Sequence, residues 1–165
     1  MSAVASSLTI HSIYKISVSH QMPHTFSDKS GTYSVDMMHA YVNIFKPKTT
    51  AVQVADHVRT LDLDGWGDGT PKNRYSANDV LANPGRYPEE VRRIEEADLK
   101  FPILVANGFI VDGVHRLAKA VQQGKPTLKA VVLDKALLKK FAVKTDKARE
   151  ISEYIFLFYK RFGTK

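Results

Sequence analysis

The sequence contains no cysteine among its 165 residues. This excludes disulfides, thiolate metal ligands and cysteine nucleophiles, and it favours a reducing compartment. Tryptophan occurs once, and no apolar run approaches the roughly 18 residues that a membrane-spanning helix needs. The opening MSAVASSLTI lacks the basic start and long apolar stretch of a signal peptide. These absences predict a protein of the cytoplasm or nucleus that does not span a membrane.

The composition is that of an ordinary globular protein, but its charge is unevenly spread. Apolar residues make up 44% and charged residues 25%, which excludes global disorder, and the length suits one domain. Residues 1–115 hold 11 basic and 13 acidic side chains, whereas residues 116–165 hold 13 basic and 4 acidic, a net of +9. This asymmetry predicts a polyanionic partner, such as a nucleotide, nucleic acid or acidic membrane. The alternative is a solvated, lysine-rich surface.

Local patterns in the first half predict both strands and helices. HSIYKISVSH predicts a short strand, SDKSGTYS a turn-rich stretch and VDMMHAYVNIF a short helix. The alternating β-branched residues of VQVADHVRTLDL predict a strand near residues 57–63. DGWGDGTPKNRY is rich in Gly, Asp and Pro and predicts a loop.

Two helix starts follow this loop. Ser76 and Asp79 have the spacing of a capping box and open the helix SANDVLAN, which Pro84 stops. Pro88, followed by two glutamates in the first turn, starts the helix PEEVRRIEEAD.

The rest of the chain predicts a hairpin and three further helices. Two apolar runs flank Asn107-Gly108, a strong hairpin signal. GVHRLAKAVQQG predicts a helix with Asp112 near its cap and Gly124 just past its end. TLKAVVLD predicts a strand and KALLKKF a short helix, and Thr145 is expected to cap a final helix with an aromatic face.

One segment combines several groups that bind anions. Asp112-Gly113-Val114-His115-Arg116 lies between a predicted strand and a predicted helix. A helix N-terminus carries partial positive charge, and Gly113 would let a phosphate approach the backbone. Arg116 can grip two phosphate oxygens, and His115 can donate to a third or transfer protons. The alternative is a plain helix start, with Asp112 as its cap and His115 and Arg116 on the surface.

The stretch PILVANGFIVDGVHRLAKAVQQGKPTLKAVVLD resembles the ParB/sulfiredoxin superfamily. The resemblance covers about residues 53–141 and is most specific over 101–124, where Asp-Gly-x-His-Arg is similar to the turn of free-serine kinases. A stand-alone ParB-like branch is also similar at these positions: Trp66, Tyr75, Ser76, Asp79, Val80, Leu81, Asn83 and Pro84. The resemblance implies that Gly113, His115 and Arg116 hold nucleotide phosphates.

The resemblance also limits which activities of the superfamily this sequence could have. Val114 stands where sulfiredoxins have their cysteine, so sulfinic acid reduction is excluded. About 24 residues follow the shared region, too few for the DNA-binding and dimerisation domains of a chromosome-partition ParB. The free-serine kinases have a catalytic Glu in a His-Glu pair after the first strand, and LDLDGWGDG has no such pair. A carboxylate near His115 would have to come from Asp62, Asp64 or Asp79.

Four other features have a chemical and a structural interpretation. Asp62, Asp64 and Asp68 could hold a divalent ion beside nucleotide phosphates or form a polar turn. The six histidines, at 11, 20, 24, 39, 57 and 115, lack the partners of a metal site, and we predict none. Trp66 could stack on a base or cover one edge of the core. The aromatic C-terminal helix suits docking onto the domain or a homodimer partner better than a membrane surface or DNA.

Together these observations predict an α/β (α+β) protein of ParB/sulfiredoxin type, a small mixed sheet surrounded by helices in a single domain. Residues 1–50 would be a partly irregular N-terminal extension, 51–141 the ParB/sulfiredoxin-like domain and 142–165 a C-terminal aromatic helix. The domain would bind nucleotide or nucleic-acid phosphates through Asp112 to Arg116, with ATP, ADP or CTP and Mg²⁺ as candidates. His115, Asp64 and Asp79 are the candidate catalytic residues of a phosphotransferase or nuclease. The alternative is a non-catalytic DNA-binding accessory protein that uses the basic last third.

Overall fold

A computed structural model describes residues 24–68, 70–144 and 158–163. These residues belong to two compact units. The discontinuous unit joins residues of Met1–Pro47 to residues of Asp134–Lys165, and the continuous unit is Lys48–Leu133. Both contain helices and strands, so the predicted mixed α and β class is confirmed.

The described part of the discontinuous unit starts with a hairpin and a helix. Strands β1 (Thr25–Asp28) and β2 (Gly31–Ser34) pair antiparallel and lead directly into helix α1 (Val35–Phe45). The hairpin lies where the sequence predicts only a turn-rich stretch, whereas the predicted helix is confirmed. The buried Ser34 side chain accepts a hydrogen bond from the N–H of Met37, which caps α1.

The continuous unit contains most of the remaining elements. Its strands are β3 (Thr50–Gln53), β4 (Trp66–Gly67), β5 (Arg74–Tyr75), β6 (Ile103–Ala106), β7 (Phe109–Asp112) and β8 (Thr127–Leu133). Its α-helices are α2 (Ala77–Ala82), α3 (Pro88–Glu96) and α4 (Val114–Gln122). Short 3₁₀ helices cover Val54–Asp56, Val58–Asp62 and Pro84–Arg86.

After β8 the chain returns to the discontinuous unit. Helix α5 (Lys135–Lys139) and strand β9 (Ala142–Val143) follow, and β9 pairs with β2. Residues 158–162 are helical, and Phe158 and Phe162 stack with ring centroids 4.9 Å apart. Phe162 also stacks on the fully buried Phe141. The predicted strand HSIYKISVSH and the predicted cap Thr145 lie outside the described residues.

The sheet of the continuous unit has the order β3-β8-β6-β7. The β6–β8 pair is parallel and the β3–β8 and β6–β7 pairs are antiparallel, which is a small mixed sheet. The predicted hairpin is confirmed, with Asn107 and Gly108 both at positive φ. Strands β4 and β5 form a separate two-stranded ribbon that pairs Trp66 with Tyr75, within the stretch predicted to be a loop.

Helices α2, α3 and α4 contribute apolar side chains to the core that includes the sheet. Val80, Ile94 and Leu117, one from each helix, are at most 1% exposed and belong to one cluster with Ile103 and Val105. Burying a side chain of this size contributes about 1.5–3 kcal/mol. The same packing fixes the positions of the start of α4 and of the first turn of α3 within the continuous unit.

The prediction of a strand near residues 57–63 is wrong. The strand of this region is β3, Thr50–Gln53, and the chain continues in 3₁₀ helices. The buried residues are Val54, His57 and Leu61, spaced by three and then four positions. Such spacing puts side chains on one side of a helical turn, whereas a half-buried strand buries every second residue.

Candidate functional site

A glycine turn joins β7 to α4. Gly113 has φ +104° and is the N-terminal cap of α4, with no side-chain hydrogen bond. A Cβ at this position would lie 2.6 Å from Ile103 Cγ2 and 2.9 Å from Arg116 Nη2. The turn therefore requires glycine for its backbone angle and for the close approach of both side chains.

Arg116 is held against this turn by Asp112. Arg116 Nη2 donates to Asp112 Oδ2 over 2.8 Å, and the two side chains are 21% and 26% exposed. The Nε of Arg116 is buried with no hydrogen-bond partner in the described part of the chain. The predicted placement of Asp112 near the helix cap is thus refined, because its carboxylate anchors the arginine while Gly113 occupies the cap position.

Two contacts hold the imidazole ring of His115, one at a ring nitrogen and one on a ring face. Its Nε2 lies 2.7 Å from Glu90 Oε2, and the two side chains are 30% and 13% exposed. The indole of Trp66 stacks on the imidazole with centroids 4.5 Å apart and planes 15° apart. Trp66 also packs against the core cluster, so it covers an edge of the core. A carboxylate and an aromatic plane together fix the position of this histidine.

Glu90 is the centre of a small polar network. Besides His115, its carboxylate accepts a hydrogen bond from Arg93 Nη1 over 3.4 Å. Burial and the nearby negative charge of Glu90 raise the pKa of the Tyr75 hydroxyl. The Tyr75 ring lies edge-on to Trp66 and 4.4 Å from the ring of Tyr87. The imidazole is therefore covered on one face by Trp66, whose indole in turn packs against Tyr75.

Among the described residues, the aspartates of the DLDGWGD stretch make no hydrogen bond to His115. Asp64 is exposed and makes no hydrogen bond to a described residue. Asp62 accepts a hydrogen bond from Asn78 Nδ2 over 2.7 Å. Asp68 accepts bonds from the N–H and hydroxyl of Thr70. The bonds to Asp68 are those of a polar surface turn, whereas the Asp62 bond joins the 3₁₀ helix Val58–Asp62 to α2.

Asp79 is engaged in the capping box that the sequence predicts. Its carboxylate accepts hydrogen bonds from the N–H and hydroxyl of Ser76, at 2.8 and 2.9 Å. The Ser76 hydroxyl accepts a bond from the N–H of Asp79. The bonds from Ser76, led by its backbone N–H, lower the pKa of Asp79 below its ordinary value. The carboxylate hydrogen-bonded to His115 is that of Glu90, which the sequence assigned only to a helix start.

A signal for Glu90 was present in the sequence. It lies four residues before the buried Ile94 on α3, so the two share one helix face. An acidic residue on the apolar face of an amphipathic helix needs a partner, because an unpaired charge is costly to bury. The partner, His115, is 25 residues further along the chain, and no local pattern identifies it.

Comparison with known proteins returned no match to a protein-family model, a curated protein or a solved structure. Within the described ranges, no three His, Asp or Glu side chains are grouped as they would be around a metal ion. No helix in those ranges is both long and apolar enough to cross a membrane.

Proposed function

We propose that the continuous unit binds the phosphates of a nucleotide at the start of α4, through Gly113, Val114, His115 and Arg116. The observation that carries this proposal is the fixed pair of His115 and Arg116 on the first turn of α4. His115 is held by Glu90 and Trp66, and Arg116 by Asp112. Side chains fixed before a ligand arrives lose little conformational entropy on binding.

Each part of the turn contributes differently to anion binding. The first N–H groups of an α-helix have no partner within the helix and carry partial positive charge. The absence of a Cβ at Gly113 lets the Arg116 side chain lie close against the turn. Arg116 donates to Asp112 through Nη2, which leaves further guanidinium N–H groups for a phosphate oxygen. ATP, ADP or CTP with Mg²⁺ are the candidate ligands, in keeping with the resemblance to the ParB/sulfiredoxin superfamily.

The Glu90–His115 pair supports a catalytic form of this proposal. An imidazole hydrogen-bonded to a carboxylate is a common arrangement for proton transfer near neutral pH. A phosphotransferase or nuclease needs such a group beside the bound phosphate. In this proposal Glu90 has the place that Asp64 or Asp79 has in the expectation from sequence. The reaction would take place in the cytoplasm or nucleus, as the cysteine-free composition favours.

Calorimetric titration with ATP, ADP and CTP in the presence of Mg²⁺ tests the binding site. We expect the full chain to bind at least one nucleotide and Arg116→Ala to bind none. Arg92→Ala is the matched control, because Arg92 is exposed and, among the described residues, its ion pairs are with Glu89 and Glu96 of its own helix. No binding by the wild type, or equal binding by the Arg116 variant, would overturn the proposal.

The alternative function is DNA binding through the basic side chains of residues 116–165. Three basic side chains of this segment make internal contacts. Arg116 pairs with Asp112, and Lys119 donates to the carbonyls of Glu95 and Ala97. Arg161 donates to the carbonyls of residues 140 and 142. Homodimer formation through the C-terminal helix stays a prediction.

A further inference from the structure

We propose that Glu90 is a positioning residue that keeps a proton on His115 Nε2, so that Nδ1 is the proton-accepting atom of the site. This inference deepens the proposed function and rests on it for the identity of the ligand. The inference states which nitrogen of His115 accepts the proton and that Glu90 determines this. The Asp-Gly-x-His-Arg motif contains neither piece of information, since Glu90 lies on α3 and His115 on α4.

The geometry leaves one nitrogen of His115 for a ligand. Nε2 and Glu90 Oε2 are 2.7 Å apart, the short distance of a charge-assisted hydrogen bond. A carboxylate only accepts, so Nε2 must carry the proton. Nδ1 makes no hydrogen bond to any described residue, and the side chain is 30% exposed. In the neutral ring Nδ1 therefore holds the free lone pair.

The surroundings of Glu90 favour this arrangement. Its side chain is 13% exposed, and a carboxylate removed from water needs close hydrogen-bond partners. Its contact with Arg93 is longer, 3.4 Å, and the Arg93 side chain is 57% exposed, so His115 provides the shorter bond. Trp66 lies flat on the ring and opposes the rotation that would exchange Nε2 and Nδ1.

The proton movement follows from this geometry. Nδ1 accepts a proton from a hydroxyl group placed beside the phosphate, so an O–H bond breaks and an N–H bond forms. The imidazolium produced is stabilised by the negative charge of Glu90. Its new Nδ1–H can donate to a phosphate oxygen. The two roles considered for His115, phosphate ligand and proton-transfer group, thus become two protonation states of one nitrogen.

The tautomer of His115 can be measured by two-bond ¹H–¹⁵N correlation spectroscopy on the full chain labelled at histidine nitrogens. His115→Gln identifies the signal. The measurement is made near pH 8.5, well above the ordinary imidazole pKa of about 6.5. We expect the Nε2–H form in the wild type and a mixture with the Nδ1–H form in Glu90→Gln. Glu89→Gln is the matched control, because it changes the same charge at an exposed position one residue away.

The outcomes separate this inference from the proposed function. A wild-type Nδ1–H form, an imidazolium that persists at that pH, or an unchanged tautomer in Glu90→Gln would overturn the inference. The wild-type measurement decides even if Glu90→Gln fails to fold. Addition of ATP with Mg²⁺ should then shift the Nδ1 signal of the wild type. Absence of nucleotide binding would overturn the proposed function while the tautomer still tests the role of Glu90.

Discussion

At the scale of single residues, Gly113 determines the shape of the site. Its positive φ turns the chain from β7 into α4, and its hydrogen in place of a Cβ admits Ile103 and Arg116 to close range. Two other glycines allow these two effects to be separated. Gly108 has φ +80° with open space around it, and Gly85 has neither a positive φ nor a neighbour within 4 Å.

Three alanine substitutions should therefore form a graded series of stabilities. Gly85→Ala should change the free energy of unfolding by no more than about 0.5 kcal/mol. Gly108→Ala should cost about 1–2 kcal/mol through its left-handed backbone. Gly113→Ala should cost about 2–5 kcal/mol, because steric overlap adds to the backbone strain. Urea denaturation measures all three, and a Gly113 variant as stable as the Gly108 variant would contradict the close-packing argument.

At the scale of elements, local capping signals set where several helices begin. Ser34, Ser76 and Asp134 each accept a hydrogen bond from a backbone N–H in the first turn of α1, α2 and α5. The starts of α3 and α4 differ, because their caps, Tyr87 and Gly113, provide no side-chain bond, and of the two it is α4 that begins at the proposed site. A ligand that accepts hydrogen bonds would occupy the place that a capping oxygen has elsewhere.

The capping box of α2 should make stability depend on acid pH. Hydrogen bonds from Ser76 lower the folded-state pKa of Asp79 below 3.8. The stabilisation is therefore complete above about pH 4 and is lost as the pH falls through the folded-state pKa. Thermal unfolding followed by circular dichroism should show Asp79→Asn melting below the wild type at pH 7, with the difference in melting temperature narrowing as the pH falls below about 4. Asp64→Asn, which changes an exposed aspartate, should melt with the wild type throughout.

Lys119 links the two helices that hold the site. It lies on α4, and its Nζ donates to the carbonyls of Glu95 and Ala97 at the end of α3. Lys119→Met keeps the length of the side chain and removes both bonds, so we expect a loss of about 1–3 kcal/mol in the free energy of unfolding. Lys125→Met, at an exposed position, is the control. Equal stability of the two variants would show that the bonds to α3 contribute nothing.

Elements with local signals could be predicted from the sequence, and the paired groups of the site could not. The capping box at Ser76, Pro88 at the first position of α3 and the Asn107-Gly108 turn are signals within four residues, and each element they predict is present. The strand expected near residues 57–63 is absent, because the residues that the core buries there follow the spacing of helical turns and not the alternation of a strand. The Glu90–His115 contact depends on how α3 and α4 pack, which no local pattern records.

At the scale of the whole molecule, the net charge and the proposed site predict different kinds of anion binding. The chain carries +7 overall, which favours polyanions without selecting one. The proposed site is local and lies within the continuous unit. Ionic strength separates the two contributions, because a polymer contacted at many phosphates releases many counterions and a nucleotide releases few.

Nucleotide affinity should accordingly fall less than about tenfold between 50 and 200 mM salt, the range over which a protein with many phosphate contacts loses about 10³-fold or more. Calorimetry with the nucleotide and fluorescence anisotropy with a labelled DNA duplex provide the two series. Arg116→Ala should abolish the first interaction and leave the second unchanged. A steep salt dependence for both ligands, insensitive to Arg116, would favour the DNA-binding alternative.

The stacking of Trp66 on His115 also has a photophysical consequence. Trp66 is the only tryptophan of the chain, so all indole emission arises from the plane that covers this imidazole. A protonated imidazole in contact with an excited indole accepts an electron and quenches its emission, whereas the neutral ring quenches far less. The intensity of Trp66 emission thus reports whether His115 is an imidazolium or a neutral ring. It can be measured without a label and on the timescale of mixing.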